Sequence, residues 1–443
     1  METGSLTLYA LISIFTLLAV YVFLISEKIH KVIVVMLAAA LLIFLQVFRT
    51  PEHSSQTGAL EYVKNNLDVL GFIIGMMILV GVVRESGIFE SLAIRLVKFT
   101  QGKPRLLLVV FAYLTLMMTT FLSNIPTILI LSPVLLVLIR ELKLPYLPYF
   151  FVMITMANIG GAMTPISDPT TYYQAKTVGL GFMEVVSNSG MIVLILSVVT
   201  VLYTLLVFRK PLARVHIKAK DIEMFDPKSA IKNRKILAVG MPVLILAILL
   251  MIGREAIFNK TGVTLDNATI TFAGAFLLLF IFEKEVKHVL EHMIDWEIIF
   301  FFTGLFIVVG SLEFTGVIHK LADVMITLTH GNSNALLFFI TVGSGTLSTF
   351  IDNVPYNIAM VGAIKAMAAS GIFVYPLWWA LNLGTSIGGA GSPIGAACNV
   401  IAFGQAEQAK LHTVFLKYLV VAFPLVLINS LVAYGALYLR YLS

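Results

Sequence analysis

The chain has 443 residues, 59% of them hydrophobic and only 12% charged, with a net charge of +6. Soluble domains carry about 25% charged residues, so this chain lacks the polar surface that a water-facing globule needs, and lipid is the solvent that suits it. That excludes a soluble enzyme and a nucleic-acid partner, since the basic residues collect in a few loops as the positive-inside rule requires; the single Cys398 excludes an internal disulfide framework and a thiolate metal cluster.

In chain order, apolar runs of helical length fall at about 6–25, 31–48, 69–83, 104–122, 126–139, 146–180 and 188–208. The start of the chain lacks the basic n-region of a signal peptide, so the first run is expected to be a retained helix. A strongly basic stretch follows, with Arg209, Lys210, Arg214, Lys218, Lys220, Lys228, Lys232, Arg234 and Lys235. Apolar runs resume at about 236–253, 268–282, 298–312, 334–350, 355–368, 374–404 and 413–439. The pattern predicts an all-α polytopic membrane protein in two halves, 1–208 and 236–443, joined by a cytoplasmic basic linker over 209–235.

The halves repeat. Thr120-Phe121-Leu122-Ser123-Asn124-Ile125-Pro126 matches Thr349-Phe350-Ile351-Asp352-Asn353-Val354-Pro355. Ile159-Gly160-Gly161-Ala162-Met163-Thr164-Pro165-Ile166 matches Ile387-Gly388-Gly389-Ala390-Gly391-Ser392-Pro393-Ile394, and Gly75, Gly81 and Gly87 match Gly304, Gly310 and Gly316. Three matches in one order at an offset of 228 or 229 indicate a duplication.

Loop charge sets the relative orientation. Lys103 and Arg105 precede the first Asn-x-Pro segment and Arg140 and Lys143 follow it, so both flanks are expected to be cytoplasmic. The segment then enters and leaves on one side as a re-entrant hairpin with Asn124-Ile125-Pro126 at its tip. The flanks of the second segment, 331–334 and 368–371, carry no charge, so that hairpin is expected to open outside. Five crossings remain per half. An odd number inverts the second half and puts both chain ends outside. The alternative makes each hairpin arm a full crossing and agrees less well with the charges.

A helix break in lipid survives only where protein or a water-filled cavity meets its backbone groups. Pro126 and Pro355 oppose helix continuation, and Asn124 and Asn353 add carboxamides that either cap the turns or contact substrate. Gly160-Gly161 and Gly388-Gly389 allow close backbone approach, with Thr164 and Ser392 offering matched hydroxyls. These eight residues are the candidate substrate contacts, because half-helix ends at the bilayer midplane present dipoles to a ligand. Two acids break the repeat: Asp352 stands where the first half has Ser123, and Asp168 where the second has Ala396. An ionisable residue inside the membrane is a functional candidate by default, so both are expected to couple ions, with helix capping the plain alternative for Asp168. Ser123, Thr127, Asn158, Asn399 and Cys398 flank the site as weaker candidates. Asp68 and Glu297, at equivalent helix starts, suit the helix dipole at the interface. Lys176, Glu184 and Lys365 are expected to reach an interface. The eight histidines have no ligand spacing, so no metal and no cofactor is expected. No phosphate-binding loop is present, so energy should come from an ion gradient or an external ATPase.

These motifs resemble the ion transporter superfamily and, within it, the arsenical pump membrane protein and P permease family. The resemblance spans nearly the whole chain. It rests on Asp352-Asn353-Val354-Pro355, on residues 159–169, and on Gly388-Gly389 through Asn399-Val400. The sequence departs from the family pattern at Ala390, where many relatives have Asn, and at Cys398, where Ala is usual. The resemblance implies paired re-entrant hairpins, broken helices and proton- or sodium-coupled transport in a prokaryotic inner membrane. The leading expectation is arsenite and antimonite efflux in exchange for protons, with an accessory ATPase as a further partner. Sodium/proton antiport comes second and dicarboxylate/sodium symport third. A non-transporting scaffold would need neither midplane acids nor repeated breaks.

Overall fold

Every helix from the first third of the chain has a counterpart further on. The computed structural model describes residues 3–26, 29–50, 54–215, 217, 226–282, 286–411 and 415–443, so Lys218 and Lys220 of the basic stretch lie outside the described residues. The first half contains α1 (Thr3–Ser26), α2 (Lys31–Phe44), α3 (Ser55–Lys64), α4 (Leu67–Arg84), α5 (Ile88–Phe99), α6 (Pro104–Leu122), α7 (Asn124–Glu141), α8 (Tyr146–Gly160), α9 (Pro169–Val178), α10 (Phe182–Val207) and the short α11 (Arg209–Ala213). The second contains α12 (Arg234–Thr261), α13 (Asn267–Ile281), α14 (Val286–His292), α15 (Trp296–Phe314), α16 (Val317–Leu328), α17 (Ser333–Leu347), α18 (Asn353–Ala369), α19 (Tyr375–Gly389), α20 (Ala397–Gln408) and α21 (Phe415–Tyr441). The first residues of α4 to α8 recur 229 positions later as the first residues of α15 to α19, and α9 recurs as α20 at 228. Among the described residues there is no strand, and seven helices are long and apolar enough to cross a membrane.

Packing between the halves is reciprocal. α2 of the first half lies on α15 of the second, and its counterpart α13 lies on α4. Likewise α7 packs against α20, and its counterpart α18 packs against α9. This is the pattern an internal two-fold axis produces. In lipid, helices associate by close packing rather than by leaving water, which favours small residues at the seams. A Cβ on Gly75 would meet Thr271 Cβ at 2.7 Å, and one on its counterpart Gly304 would meet Val35 Cγ1 at 2.9 Å. Gly87 and Gly316 hold φ of +77° and +75° as the caps that turn the chain into α5 and α16, a conformation that only glycine adopts freely. Large exposed apolar side chains such as Phe15, Leu206, Phe280, Val420 and Leu439 face outward, toward the acyl chains.

The hairpins are re-entrant. The Tyr149 hydroxyl at the start of α8 donates to Pro104 O at the start of α6 (2.9 Å), and α7 ends one short loop before α8. All three ends therefore share one face, with Lys103, Arg105, Arg140 and Lys143, here called the basic face. α8 is about 22 Å long at 1.5 Å per residue, and only beyond its break does α9 carry the chain to the far face. There, the Tyr375 hydroxyl at the start of α19 donates to Glu184 Oε1 just past α9 (2.7 Å). In mirror fashion, Arg140 at the end of α7 donates to Ala409 O just past α20 (3.3 Å). The second hairpin thus opens on the face opposite the first.

Two expectations are refined. The basic stretch is not all linker: Arg209 and Lys210 belong to α11, and Arg234 and Lys235 begin α12. Its described part packs on the α4–α5 junction, where Lys232 N donates to Ser86 O (2.9 Å) and the Ser91 hydroxyl to Pro227 O (2.6 Å). Asp68 and Glu297 do lie in first turns, and each also holds a partner, Lys176 at 2.6 Å and His30 at 3.2 Å. Sequence periodicity missed α5 and α16, whose amphipathic faces lie between longer apolar runs.

Candidate functional site

Each hairpin tip meets the helix break of its own half, and the two breaks meet each other. In the first half α6 stops at Ser123, whose φ of +73° turns the chain into α7. Asn124 then opens α7, buried, and its amide donates to Asp168 Oδ2. Asp168 also caps α9, its Oδ1 accepting from Thr170 N (2.8 Å) and from the Thr170 hydroxyl (2.5 Å). Capping therefore does describe Asp168, and its carboxylate is held on both oxygens. In the second half Asp352 caps α18 through Val354 N (3.0 Å), and the backbone N–H of Asn353 donates to Gly395 O in the break (3.1 Å). Asp352 is only partly buried, whereas Asp168 is 3% exposed.

The matched hydroxyls serve as clasps. Thr164 donates to Thr120 O (2.7 Å), and Ser392 donates to Thr349 O (2.5 Å), tying each break to its own hairpin tip. Thr127 donates back to Ser123 O (2.7 Å). The break glycines are held by another matched pair: Thr171 donates to Gly161 O (2.7 Å) and Asn399 to Gly389 O (2.6 Å). Each glycine accepts a close neighbour. A Cβ on Gly160 would meet Leu116 Cδ1 at 3.1 Å, on Gly161 Asp168 Cβ at 3.0 Å, and on Gly389 Asn158 Oδ1 at 2.6 Å. On Gly388 it would meet the backbone oxygen of Gly345.

A chain of amides joins the halves across the centre. Asn158 donates to Asn399 Oδ1 (2.7 Å), and the buried Cys398 sulfur lies 3.6 Å from the same amide. Asn382, Asn357 and Gln174 were not foreseen. Asn382 accepts from Thr171 (2.8 Å) and donates to Ser189 Oγ (3.0 Å), while Asn357 reaches Gln174 Oε1 (3.4 Å). The signal was available: Asn357 is one helical turn past Asn353, and a carboxamide on an otherwise apolar helix must find a partner in the interior. Among the described residues six buried carboxamide oxygens have no hydrogen-bond donor: Asn124 Oδ1, Asn158 Oδ1 and Asn357 Oδ1 on the tip and break helices, and Asn267 Oδ1, Gln405 Oε1 and Asn429 Oδ1 elsewhere. A buried acceptor left open costs about 1–3 kcal/mol. Their open side asks for a donor or a cation.

Two cavities approach these tips from the basic face. One, of about 310 Å³, lies along the end of α4 and the start of α7, with Arg84, Glu90, His288 and Pro126 on its walls. The other, of about 380 Å³, runs from the starts of α2 and α15 to Asp352. Asp295 borders both and caps α15; burial raises its carboxyl above the usual carboxylate range. His288 lies 3.3 Å from Glu85, which sets α14 beside the end of α4. A third cavity, of about 220 Å³, opens on the opposite face and carries Gly310, Glu313, His319 and Lys365.

Inverted halves, paired hairpins and broken helices meeting at the centre define a secondary active transporter embedded in a membrane. The chain belongs to the citrate transporter (CitMHS) family, whose sequence profile matches residues 21–384. It is 30% identical to the 46 kDa membrane protein of Mycobacterium leprae over 98% of this chain and 99% of that one. An uncharacterized transporter of Synechocystis is 26% identical over 96% of both. The human P protein is 24% identical over 97% of this chain and 60% of its own length. The solved YdaH transporter of Alcanivorax borkumensis shares the fold, with a TM-score of 0.57 at 15% identity, over 97% of this chain and 98% of that one. Family and relatives are transporters rather than enzymes.

Proposed function

We propose that the chain exports a small uncharged oxyacid, arsenite or antimonite, in exchange for protons. The observation that carries this reading is the set of three donor-less carboxamide oxygens at the junction of the tips and breaks, beside two carboxylates. Arsenite near neutral pH is a trihydroxide, and its three O–H groups suit acceptors. A tricarboxylate such as the citrate of the family's description would set its oxygens against these acceptors. Asp168 and Asp352 are the proposed coupling acids, and Asn124, Asn353, Gly160, Gly161, Thr164, Gly388, Gly389 and Ser392 form or shape the substrate site. On this reading the halves are 1–208 and 236–443, the stretch 209–235 is cytoplasmic and offers a docking surface to an accessory ATPase, and both chain ends lie outside a prokaryotic inner membrane.

Sodium/proton antiport is the second reading, favoured by Asp352, a carboxylate that a cavity reaches and that could join carboxamide oxygens around a hard cation. Everted vesicles loaded with a proton gradient separate the cases. Arsenite accumulation that collapses with the gradient is the expected result. Sodium-dependent proton movement without arsenite uptake would replace the first reading with the second, and gradient-driven citrate movement would overturn both.

A further inference from the structure

Among the described residues, rings pack at the place in the first half that matches the cavity reaching Asp352. Applying the repeat offset to its wall at Phe350, Ile351, Asp352, Val400 and Ile401 gives Phe121, Leu122, Ser123, Tyr172 and Tyr173. There the space is filled by rings: Tyr172 stacks on Phe72 at 4.1 Å and Tyr173 on Phe306 at 5.9 Å. The aliphatic Val400 and Ile401 leave room where the tyrosines do not.

Charge follows the same division. Gly75 is closely approached by Thr271 and Phe272, and its counterpart Gly304 by Val35 and Met36. That contact aligns α13 with α2 and sets Asn267 opposite Lys31. The open cavity therefore carries a lysine and an aspartate where the filled one carries an asparagine and a serine. Both members of the pair change together. The other ionisable groups on its walls are Tyr21 from α1, His30 from α2, and Asp295 and Glu297 from α15; α20 brings only Ala397, Val400 and Ile401. His30 is taken by Glu297 (3.2 Å), and Asp295 accepts from Ile298 N (3.3 Å). Lys31 Nζ sits 5.6 Å from the centre of the Phe301 ring, a cation–π contact that steadies its stem, and among the described residues it makes no ion pair.

We propose that Lys31 is a built-in competitor for Asp352: a tethered cation that faces the carboxylate across the cavity and is displaced electrostatically when a proton or external cation binds there. The inference rests on the reading of Asp352 as a coupling acid. It assigns Lys31 as a positioning residue that tunes coupling, with no contact to substrate. A fixed positive charge weakens proton binding by a facing carboxylate, and the weakly polar protein wall strengthens that effect.

A carbodiimide, which adds only to a protonated carboxyl, tests this without transport. The purified full chain in lipid nanodiscs is labelled across a pH series and adduct at Asp352 is measured by mass spectrometry. In Lys31→Met the labelling midpoint should move up by about one pH unit, a tenfold change in proton affinity. Lys31→Arg, which keeps the charge, should stay with the parent chain. Midpoints for parent and Lys31→Met within a few tenths of a unit would overturn the proposal, as would an Asp352 that never labels. Failure of proton-driven transport with the midpoint shift intact would remove the transport reading and leave the Lys31–Asp352 pairing standing.

Discussion

The tip at Ser123 and the tip at Asp352 share a backbone plan and differ in chemistry. Each ends one helix, turns, and starts the next with Asn-x-Pro; each is clasped to its glycine break by one hydroxyl, from Thr164 or Ser392. The first tip is neutral, with stacked tyrosines at the place that matches the second tip's cavity, whereas the second carries a carboxylate on the wall of that cavity. The cavities at α4 and α15, by contrast, are true counterparts, with Arg84 and Glu313 at matched positions on opposite faces. Duplication thus supplied the scaffold twice, and divergence placed an accessible charge on one side only. Symmetry lets the fold open to either face, and the asymmetry marks one tip as the place where an ion can bind, while the gradients set the direction of the cycle.

The largest expected effect comes from neutralising the charged tip. Asp352→Asn retains an N-cap, because Asn caps as well as Asp, yet it cannot exchange a proton. Gradient-driven transport in vesicles should fall at least ~100-fold while thermal unfolding stays within a few degrees. A variant that unfolds would instead assign Asp352 a structural role. Moving the acid with the double change Ser123→Asp and Asp352→Ser should restore no transport, because Tyr172 and Tyr173 fill the space that matches the cavity leading to Asp352. Recovery would show that the two tips are interchangeable. Smaller effects should appear in the paired breaks. Gly388→Ala drives a methyl against the Gly345 backbone and should cost about 1–3 kcal/mol of stability. Its counterpart Gly160→Ala meets only side chains of Leu116 and Thr119 and should cost less than about 1 kcal/mol. Denaturation in detergent reads both. Last, Asn399→Ala leaves the Gly389 and Ser392 carbonyls without their donor and should cost about 2–3 kcal/mol, against about 1 kcal/mol for Thr171→Val, which strips a single hydroxyl.

Much of the architecture was legible in the sequence because lipid makes its constraints visible. The Asn-x-Pro turns and glycine pairs announced the breaks, and Lys103, Arg105, Arg140 and Lys143 announced that both ends of the first hairpin share one face. The roles of individual site residues were less legible. Thr164 and Ser392 read as substrate hydroxyls, yet both donate to a carbonyl of the neighbouring tip. Asp168 and Asp352 read alike, yet one is bonded on both oxygens and the other borders a cavity. Such differences arise from packing between distant segments. Lys31 shows this most clearly: 321 positions before Asp352 in the chain, it shares a cavity with that residue only because α2 packs on α15 of the other half.

The opposite orientation of the two hairpins is the claim on which the rest depends. Single cysteines at Lys103, Lys143, His330 and Ser370, placed in a Cys398→Ser chain, would be challenged with an impermeant thiol reagent on intact cells and on everted vesicles. Lys103→Cys and Lys143→Cys should label from the cytoplasmic side alone, and His330→Cys and Ser370→Cys from the opposite side alone. Labelling of Lys103→Cys and Lys143→Cys from different sides, or of all four from the same side, would contradict it.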